Sequence, residues 1–458
     1  MSNEYDVVII GSGPGGYVAA SRLGGAGKKV ACVESADLGG CCLNVGCIPT
    51  KTLLHSSEIV ANVRDGESHG IKVSQLQVDL AAMIERKNQV VQKLRGGVAG
   101  LLKGKKVDVI AGRGKITGKK QVTVALNDGG TQMLDCDSII IATGSEPAVP
   151  GIFPQDRSKV MTSDELLDLT DLPESLMIVG GGVIGCEFAT VFAELGTKVT
   201  VVEMLDRLLP MADKDISKLL ARKFKEMGIT AHAGIAVEKM ELGGKGVQTT
   251  LSNGETVDTT LALISTGRRP VSADLGLEEV GATTEKGFIN IDEQCRTSVP
   301  NIYAIGDVTG KWQLAHVAYR QAAVAANTIC GTQDWEDYAV VPAAVYTHPE
   351  IAWVGLTEDE AIEKGIKIKK AAMPMSASGL ALAYDQTIGT AKIIANEDNE
   401  IVGAHMMCPH ASDAIQEVAT LMKSECTLVE LEATIHGHPT FSESLAEVTG
   451  TLLGSGGH

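Results

Sequence analysis

The sequence predicts an α/β protein built on a strand–helix–strand unit that occurs twice, followed by a C-terminal region of different composition. Three observations predict it. The apolar runs at 5–10 and 176–179 each lead into a glycine-rich turn, a helix-like stretch and a second apolar strand ending in glutamate. Glycine is abundant, at 51 of 458 residues, and aromatics make up only 3%, which suits an architecture of many tight strand-to-helix turns. The length allows roughly three domains at about 150 residues each.

Composition narrows the possible functions. A formal net charge of −17 argues against a nucleic-acid or anionic-membrane partner, since such surfaces need a basic footprint. No apolar run reaches the length of a membrane span. Residues 1–6 lead directly into the first strand, so neither a signal nor a transit peptide is expected. Ten cysteines without regular spacing do not make a secreted disulfide framework. A cytoplasmic setting is therefore expected, where any persistent disulfide is catalytic.

In the first unit, the strand from Tyr5 to Ile10 ends in Gly11-Ser12-Gly13-Pro14-Gly15-Gly16. Gly11 supplies the tight turn, Gly13 the close approach of backbone to a pyrophosphate, and Gly16 the helix–strand contact. Glu34 closes the second strand, placed to accept from a ribose hydroxyl. The alternative is a glycine-rich corner in an α/β domain without a ligand.

Four cysteines follow within sixteen residues: Cys32, Cys41, Cys42 and Cys47. Five helical steps from Cys42 to Cys47 rise roughly 7.5 Å, whereas a disulfide wants Cα atoms about 4.4–6.8 Å apart. An undistorted helix cannot carry that bridge, but Asn44 and Gly46 are poor helix residues and let the segment deform. Cys41–Cys47 would be longer, and Cys41–Cys42 a strained vicinal ring. A bridge is best placed at Cys42–Cys47, and strained bridges are the reducible ones. Against this stands the plainer reading of four small buried hydrophobes.

Residues 79–102 carry Val90, Val91, Leu94, Val98, Leu101 and Leu102 at amphipathic-helix spacing, with basic residues between them that read as a solvated face. Strands follow to Ile141, stopping at Ala142-Thr143-Gly144. Pro147, Pro150 and Pro154 then mark a boundary. The pattern restarts with Met177-Ile178-Val179, the turn Gly180-Gly181-Gly182-Val183-Ile184-Gly185, then Cys186-Glu187, a helix, a strand and Glu203. The interval from Gly185 to Glu203 repeats that from Gly16 to Glu34, and two copies imply two nucleotides. A carboxylate at 203 repels a 2′-phosphate, so NAD is favoured over NADP; Arg207 is the nearest base. This unit closes at Ser265-Thr266-Gly267, an echo of Thr143-Gly144.

Further on, the strand before Gly306-Asp307 puts a carboxylate at a strand end, either for a sugar-like chain or as a helix cap. Residues 339–458 hold sixteen acidic residues, six lysines and no arginine. That balance serves solubility or the docking of a basic partner. Near its end, Pro439 drives His438 toward extended backbone, and Glu443 is close enough to turn back on the imidazole. A histidine held so is a tuned proton acceptor, though a structural histidine also fits.

Together these stretches resemble the flavin-dependent pyridine nucleotide–disulfide oxidoreductases, along the whole chain. The most specific elements are the segment from Cys42 through Cys47 to Lys51 and the segment from His438 to Glu443. The resemblance implies FAD in the first unit on Gly11, Gly13, Gly16, Glu34, Thr143 and Gly144, with Asp307 on the ribityl chain. It implies NAD in the second unit on Gly180, Gly182, Gly185, Glu203 and Gly267. Lys51 and Glu187 would lie by the isoalloxazine and the nicotinamide. The implied order is a FAD-binding domain (1–148), an NAD-binding domain (149–268), a central domain (269–338) and an α+β dimerisation domain (339–458). No metal is implied.

The branch with these motifs oxidises protein-bound dihydrolipoamide to lipoamide and reduces NAD+. It works as a homodimer whose partner subunit supplies the His–Glu pair, here His438 and Glu443. The resemblance implies Cys42 in thiol interchange and Cys47 beside the flavin. Its implied partners are lipoyl domains and a basic peripheral-subunit-binding domain of a 2-oxo acid dehydrogenase acyltransferase core, or a glycine cleavage complex. Cys41 departs from the family, which usually has a non-thiol residue there, often threonine. A glutathione-type relative would want arginines in the last region and a basic site in place of Glu203. A mercuric-type relative would end in paired cysteines, whereas this chain ends Gly-Ser-Gly-Gly-His458. A flavin-holding scaffold without turnover would not need the full catalytic set.

Overall fold

The computed structural model describes residues 3–244 and 246–455, so the last three residues of the C-terminal sequence noted above lie outside the described residues. The chain makes two contact units. One comprises Met1–Thr52, Ala82–Ala148 and Gly267–Asp337; the other comprises Leu53–Ala81, Val149–Thr266 and Tyr338–His458.

In the first unit, Asp108–Gly118, Val30–Glu34, Glu4–Ile10, Thr131–Ile141 and Ile302–Ala304 lie side by side in parallel. Gln121–Leu126 runs antiparallel to both long strands beyond that sheet. The central strands are continuous apolar runs because both faces are covered. Helices Pro14–Gly25 and Ala315–Ile329 share a core with Val7 and Ile9 on one side. Ile116, Val122 and Leu134 pack with Val8 and Ile10 on the other. The glycine-rich turn thus opens at the carboxyl edge of the sheet, where doubly wound folds take ligands.

The amphipathic segment forms the helix Leu80–Gly104. Val91, Val98 and Leu102 join the core, but Leu94 and Leu101 are exposed and Lys87 is buried. The expected solvated basic face therefore has an exception at Lys87.

The second unit repeats the doubly wound pattern. Thr230–Ala233, Lys198–Glu203, Ser175–Val179, Leu261–Ile264 and Val160–Met161 are parallel neighbours. Its C-terminal part is an antiparallel sheet of Ala343–Val345, Ile351–Gly355, Ile401–Met407, Thr390–Asn396 and Ile368–Pro374. Helices Ala411–Lys423 and Glu443–Leu453 pack on one face of it, which is the expected α+β arrangement.

A buried ion cluster ties these parts of the second unit. The Lys392 ammonium, buried, donates to Asp213 at 2.8 Å, Asp215 at 2.8 Å and Glu358 at 3.0 Å. Burial works against the charged form of Asp213. The Lys392 ammonium and the Asp215 and Glu358 amides outweigh it and pull the carboxyl down to about 2. A depressed carboxyl contributes stability that is present above its ordinary value and is lost as pH falls through the native one. We expect Lys392→Met to lower the thermal midpoint at pH 7, since removing one partner of a buried pair costs about 3–5 kcal/mol. The gap between variant and parent, followed by thermal unfolding, should narrow from pH 3.8 down towards about 2.

Candidate active site

The two glycine-rich turns are built alike. Gly11 and Gly180 have φ of +100° and +108°, a backbone that side chains rarely adopt. A Cβ on Gly16 would fall 2.0 Å from the Gly11 carbonyl oxygen, and one on Gly185 would fall 1.9 Å from that of Gly180. In contrast, a Cβ on Gly13 would meet nothing nearer than 3.8 Å, and one on Gly182 nothing within 4 Å. The middle glycine of each turn thus faces open space at the head of a helix, whose amide ends suit a pyrophosphate.

The two terminal acids are held in the same way. Glu34 accepts from the Ser12 amide at 2.8 Å, the Ser12 hydroxyl at 2.7 Å and the Ala36 amide at 2.9 Å. Glu203 accepts from the Gly181 amide at 2.7 Å and the Leu205 amide at 2.8 Å. Each carboxylate therefore braces its own turn. Arg207 is turned to the Pro210 carbonyl at 3.3 Å and to Asp206, which leaves Glu203 without a basic neighbour among these contacts.

The cysteine segment is two helices, Gly40–Asn44 and Cys47–Asp65. Between them Val45 leaves helical geometry at φ −140°. A Cβ on Gly46 would come within 3.0 Å of the Cys41 carbonyl and 3.1 Å of the Cys42 Cα. Glycine at 46 is what lets the bend close. The Asn44 side chain donates to the Leu38 and Gly40 carbonyls at 3.1 and 2.9 Å and accepts from Arg95 at 2.8 Å. It acts as a staple in addition to being a poor helix residue.

The bend brings the thiols of Cys42 and Cys47 into a side-chain hydrogen bond. That bond, then burial, then the charges of Cys47 and Cys41 push the Cys42 thiol strongly upward, so Cys42 keeps its proton. Cys47 begins a 19-residue helix, and a helix N-terminus favours a thiolate. Lys51 stands one turn further along the same helix.

Asp307 follows Ile302–Ala304 in a short 3₁₀ turn and accepts from the Ser145 hydroxyl at 2.5 Å. Arg268 donates to the Ser145 hydroxyl and carbonyl, each at 2.7 Å, and to the Cys41 sulfur at 3.2 Å. Thr143 donates to the Val271 carbonyl at 2.6 Å, while Gly144 and Gly267, both at positive φ, face open space. Sequence reasoning missed Ser145 and Arg268. Their only local signal is that each directly follows a flagged residue, Gly144 or Gly267, and the two short strands they begin are paired.

In the second unit, Glu187 is buried on the helix Val183–Leu195 and accepts from the Tyr346 amide at 3.0 Å. Glu194 of that helix contacts the Ser57 hydroxyl at 2.6 Å and His348 Nδ1 at 2.7 Å. His438 Nδ1 lies 2.7 Å from Glu443, whose other oxygen accepts from the Thr440 amide at 2.6 Å. Burial opposes the charged form of Glu443, but the Thr440 amide and the His438 ring hold its carboxyl below the usual carboxylate range. The His438 side chain is 83% exposed, so the protomer presents an oriented imidazole outward.

Residues 5–322 match the family described as Pyridine nucleotide-disulphide oxidoreductase, and residues 341–449 match its dimerisation domain. The chain belongs to this family. A dihydrolipoyl dehydrogenase of Chlamydia muridarum is 43% identical over 452 residues, covering 98% of this chain and 96% of the relative. One of Bacillus subtilis is 41% identical over 459 residues, covering 99% and 97%. Among solved structures, LpdA of Mycobacterium tuberculosis superposes with a TM-score of 0.92 at 29% identity, covering 97% of this chain and 99% of that one. The HOCl-induced flavoprotein disulfide reductase RclA of Escherichia coli, as a Cu(II) complex, gives 0.89 at 32%, covering 98% and 100%.

The family works with FAD and NAD(H), and the residues present fit both. Each turn leaves room for a diphosphate at its middle glycine, and each is braced by an acid suited to a ribose. Among the described residues no helix is long and apolar enough to cross a membrane. Gly40 sits at φ +63°, with a Cβ position only 2.5 Å from the Gly13 Cα. We expect Gly40→Ala to cost about 1–3 kcal/mol through overpacking and to loosen FAD. A lower thermal midpoint and a reduced flavin-to-protein absorbance ratio would register both effects.

Proposed function

We propose that this chain is a dihydrolipoyl dehydrogenase: it oxidises protein-bound dihydrolipoamide to lipoamide and reduces NAD+ to NADH. The observation that carries the reading is the Cys42–Cys47 thiol pair, closed on itself at the head of a long helix beside the first nucleotide cradle. The oriented His438–Glu443 pair supports it.

In the oxidised enzyme Cys42 and Cys47 are joined. His438, aligned by Glu443, takes the proton of one substrate thiol, a step in which a positioned base contributes about 10²–10⁴-fold. The resulting thiolate forms a bond to Cys42 Sγ while the Cys42–Cys47 bond breaks and Cys47 leaves as a thiolate. The second substrate thiol attacks the mixed disulfide and closes lipoamide, and Cys42 is released as a thiol that carries off its proton. Lys51, one turn from Cys47, favours the thiolate there. FAD, when bound, supplies the two-electron carrier between the thiol pair and NAD+. Gly11, Gly13, Gly16, Glu34, Thr143, Gly144 and Asp307 would hold it. Gly180, Gly182, Gly185, Glu203 and Gly267 would hold NAD, with Glu187 near the nicotinamide.

The same reading divides the chain at 148, 268 and 338 into FAD, NAD, central and dimerisation domains. It makes the enzyme a cytoplasmic homodimer in which each active site takes His438 and Glu443 from the partner subunit. The acidic, arginine-free 339–458 region supports docking of a basic domain of an acyltransferase core, which also brings the lipoyl domains. We expect that association to weaken steeply between 50 and about 200 mM salt; a salt-insensitive binding isotherm rules the electrostatic docking out.

We expect turnover of dihydrolipoamide with NAD+ to exceed that with NADP+, and glutathione to be a poor substrate. Preference for NADP+ and glutathione would overturn the assignment. Cys47→Ser should abolish the long-wavelength absorption that a thiolate gives beside a flavin on partial reduction. Survival of that band in spectral titrations would mean the two sulfur roles are exchanged.

A further inference from the structure

In the isolated protomer the loop that carries His438 lies open. Within 432–439 every residue is exposed except His436, and Ile435 is 97% exposed in the protomer. A cavity of about 380 Å³ lies against the loop, lined by Leu380, Tyr384, His410, Glu417, Thr440 and Phe441. Phe441 is buried on that side, with Tyr384 and His410 as ring neighbours.

What turns inward is His436, whose side chain is only 8% exposed. Its Nε2 lies 2.9 Å from Glu417 on the helix Ala411–Lys423, and its Nδ1 lies 3.0 Å from the Thr434 carbonyl. Both neighbours are hydrogen-bond acceptors, so whichever ring nitrogen carries the proton has a partner. The imidazole thus clamps the loop backbone at 434 to a helix of the domain core. Two residues on, the loop is held again, by Glu443 contacting both His438 and the Thr440 amide.

We infer that His436 and Glu417 are positioning residues for the dithiol half of the reaction: this second His–Glu pair suspends the loop so that His438 keeps its aim. The inference rests on His438 acting as the base. Neither residue needs to touch substrate or cofactor. Their effect passes through the loop backbone, where a displacement on the order of 1 Å is worth about 10²-fold in rate.

The test uses the FAD-loaded enzyme with His436→Gln, His436→Ala and Glu417→Gln, and His438→Gln as reference. Stopped-flow reduction by dihydrolipoamide reads the half that needs His438, and reduction by NADH reads the half that does not. Hydrogen exchange at the Thr440 amide reports loop order. We expect both Ala and Gln variants to slow the dithiol half about 10- to 100-fold, with His436→Gln the milder of the two because it keeps one donor. NADH reduction should stay within about twofold of the parent, and the Thr440 amide should exchange faster. An equal loss in both half-reactions makes the pair merely structural and overturns the inference. So does an unchanged dithiol half alongside an impaired His438→Gln. If His438→Gln is itself unimpaired, the base assignment falls, and this inference with it.

Discussion

The active centre depends on a backbone approach at one residue. At Gly46 the chain passes so near Cys41 and Cys42 that a single Cβ would crowd the Cys41 carbonyl. That contact ends one helix, starts the next and folds Cys42 back over Cys47. The same fold leaves Cys47 at the positive end of a long helix, where a thiolate is favoured, and leaves the proton on Cys42. Bond geometry and charge asymmetry therefore come from one local constraint.

Two copies of a nucleotide cradle, one in each unit, use the same steric logic. In each, one glycine supplies a positive φ, one permits contact between helix and strand, and one leaves an opening. The terminal acids do more than face a ligand. By accepting from Ser12 and Gly181 amides they brace the turns themselves. In the first unit the network of Arg268, Ser145 and Asp307 extends this bracing to the sulfur of Cys41. The unusual cysteine is thereby held by a guanidinium.

The second unit balances rigidity and reach. Its interior is locked by a lysine surrounded by three carboxylates, a cluster whose members are costly to unpair. The loop that carries His438 is tethered by hydrogen bonds and followed by the buried Phe441 ring. The exposed His438 imidazole is aimed by its contact with Glu443, which constrains its direction without enclosing the ring.

Much of this was legible in the chain. The repeat of glycines and terminal acid follows from sterics within about thirty residues. The Cys42–Cys47 spacing and Gly46 announce a broken helix, and the short step from His438 to Glu443 allows only a local turn. What could not be read were contacts between residues far apart in sequence: Arg268 with Cys41, Lys392 with Asp213, and Lys87 turned inward on a helix whose pattern looked solvated. A hydrogen bond across more than a hundred residues leaves no periodicity or spacing behind, because each partner is set by its own segment. The sequence by itself determined the two cradles, the thiol bend and the imidazole–carboxylate pair, since those rest on near-neighbour sterics. Only the tertiary structure decided which distant charges brace them, because that depends on how independently formed elements pack.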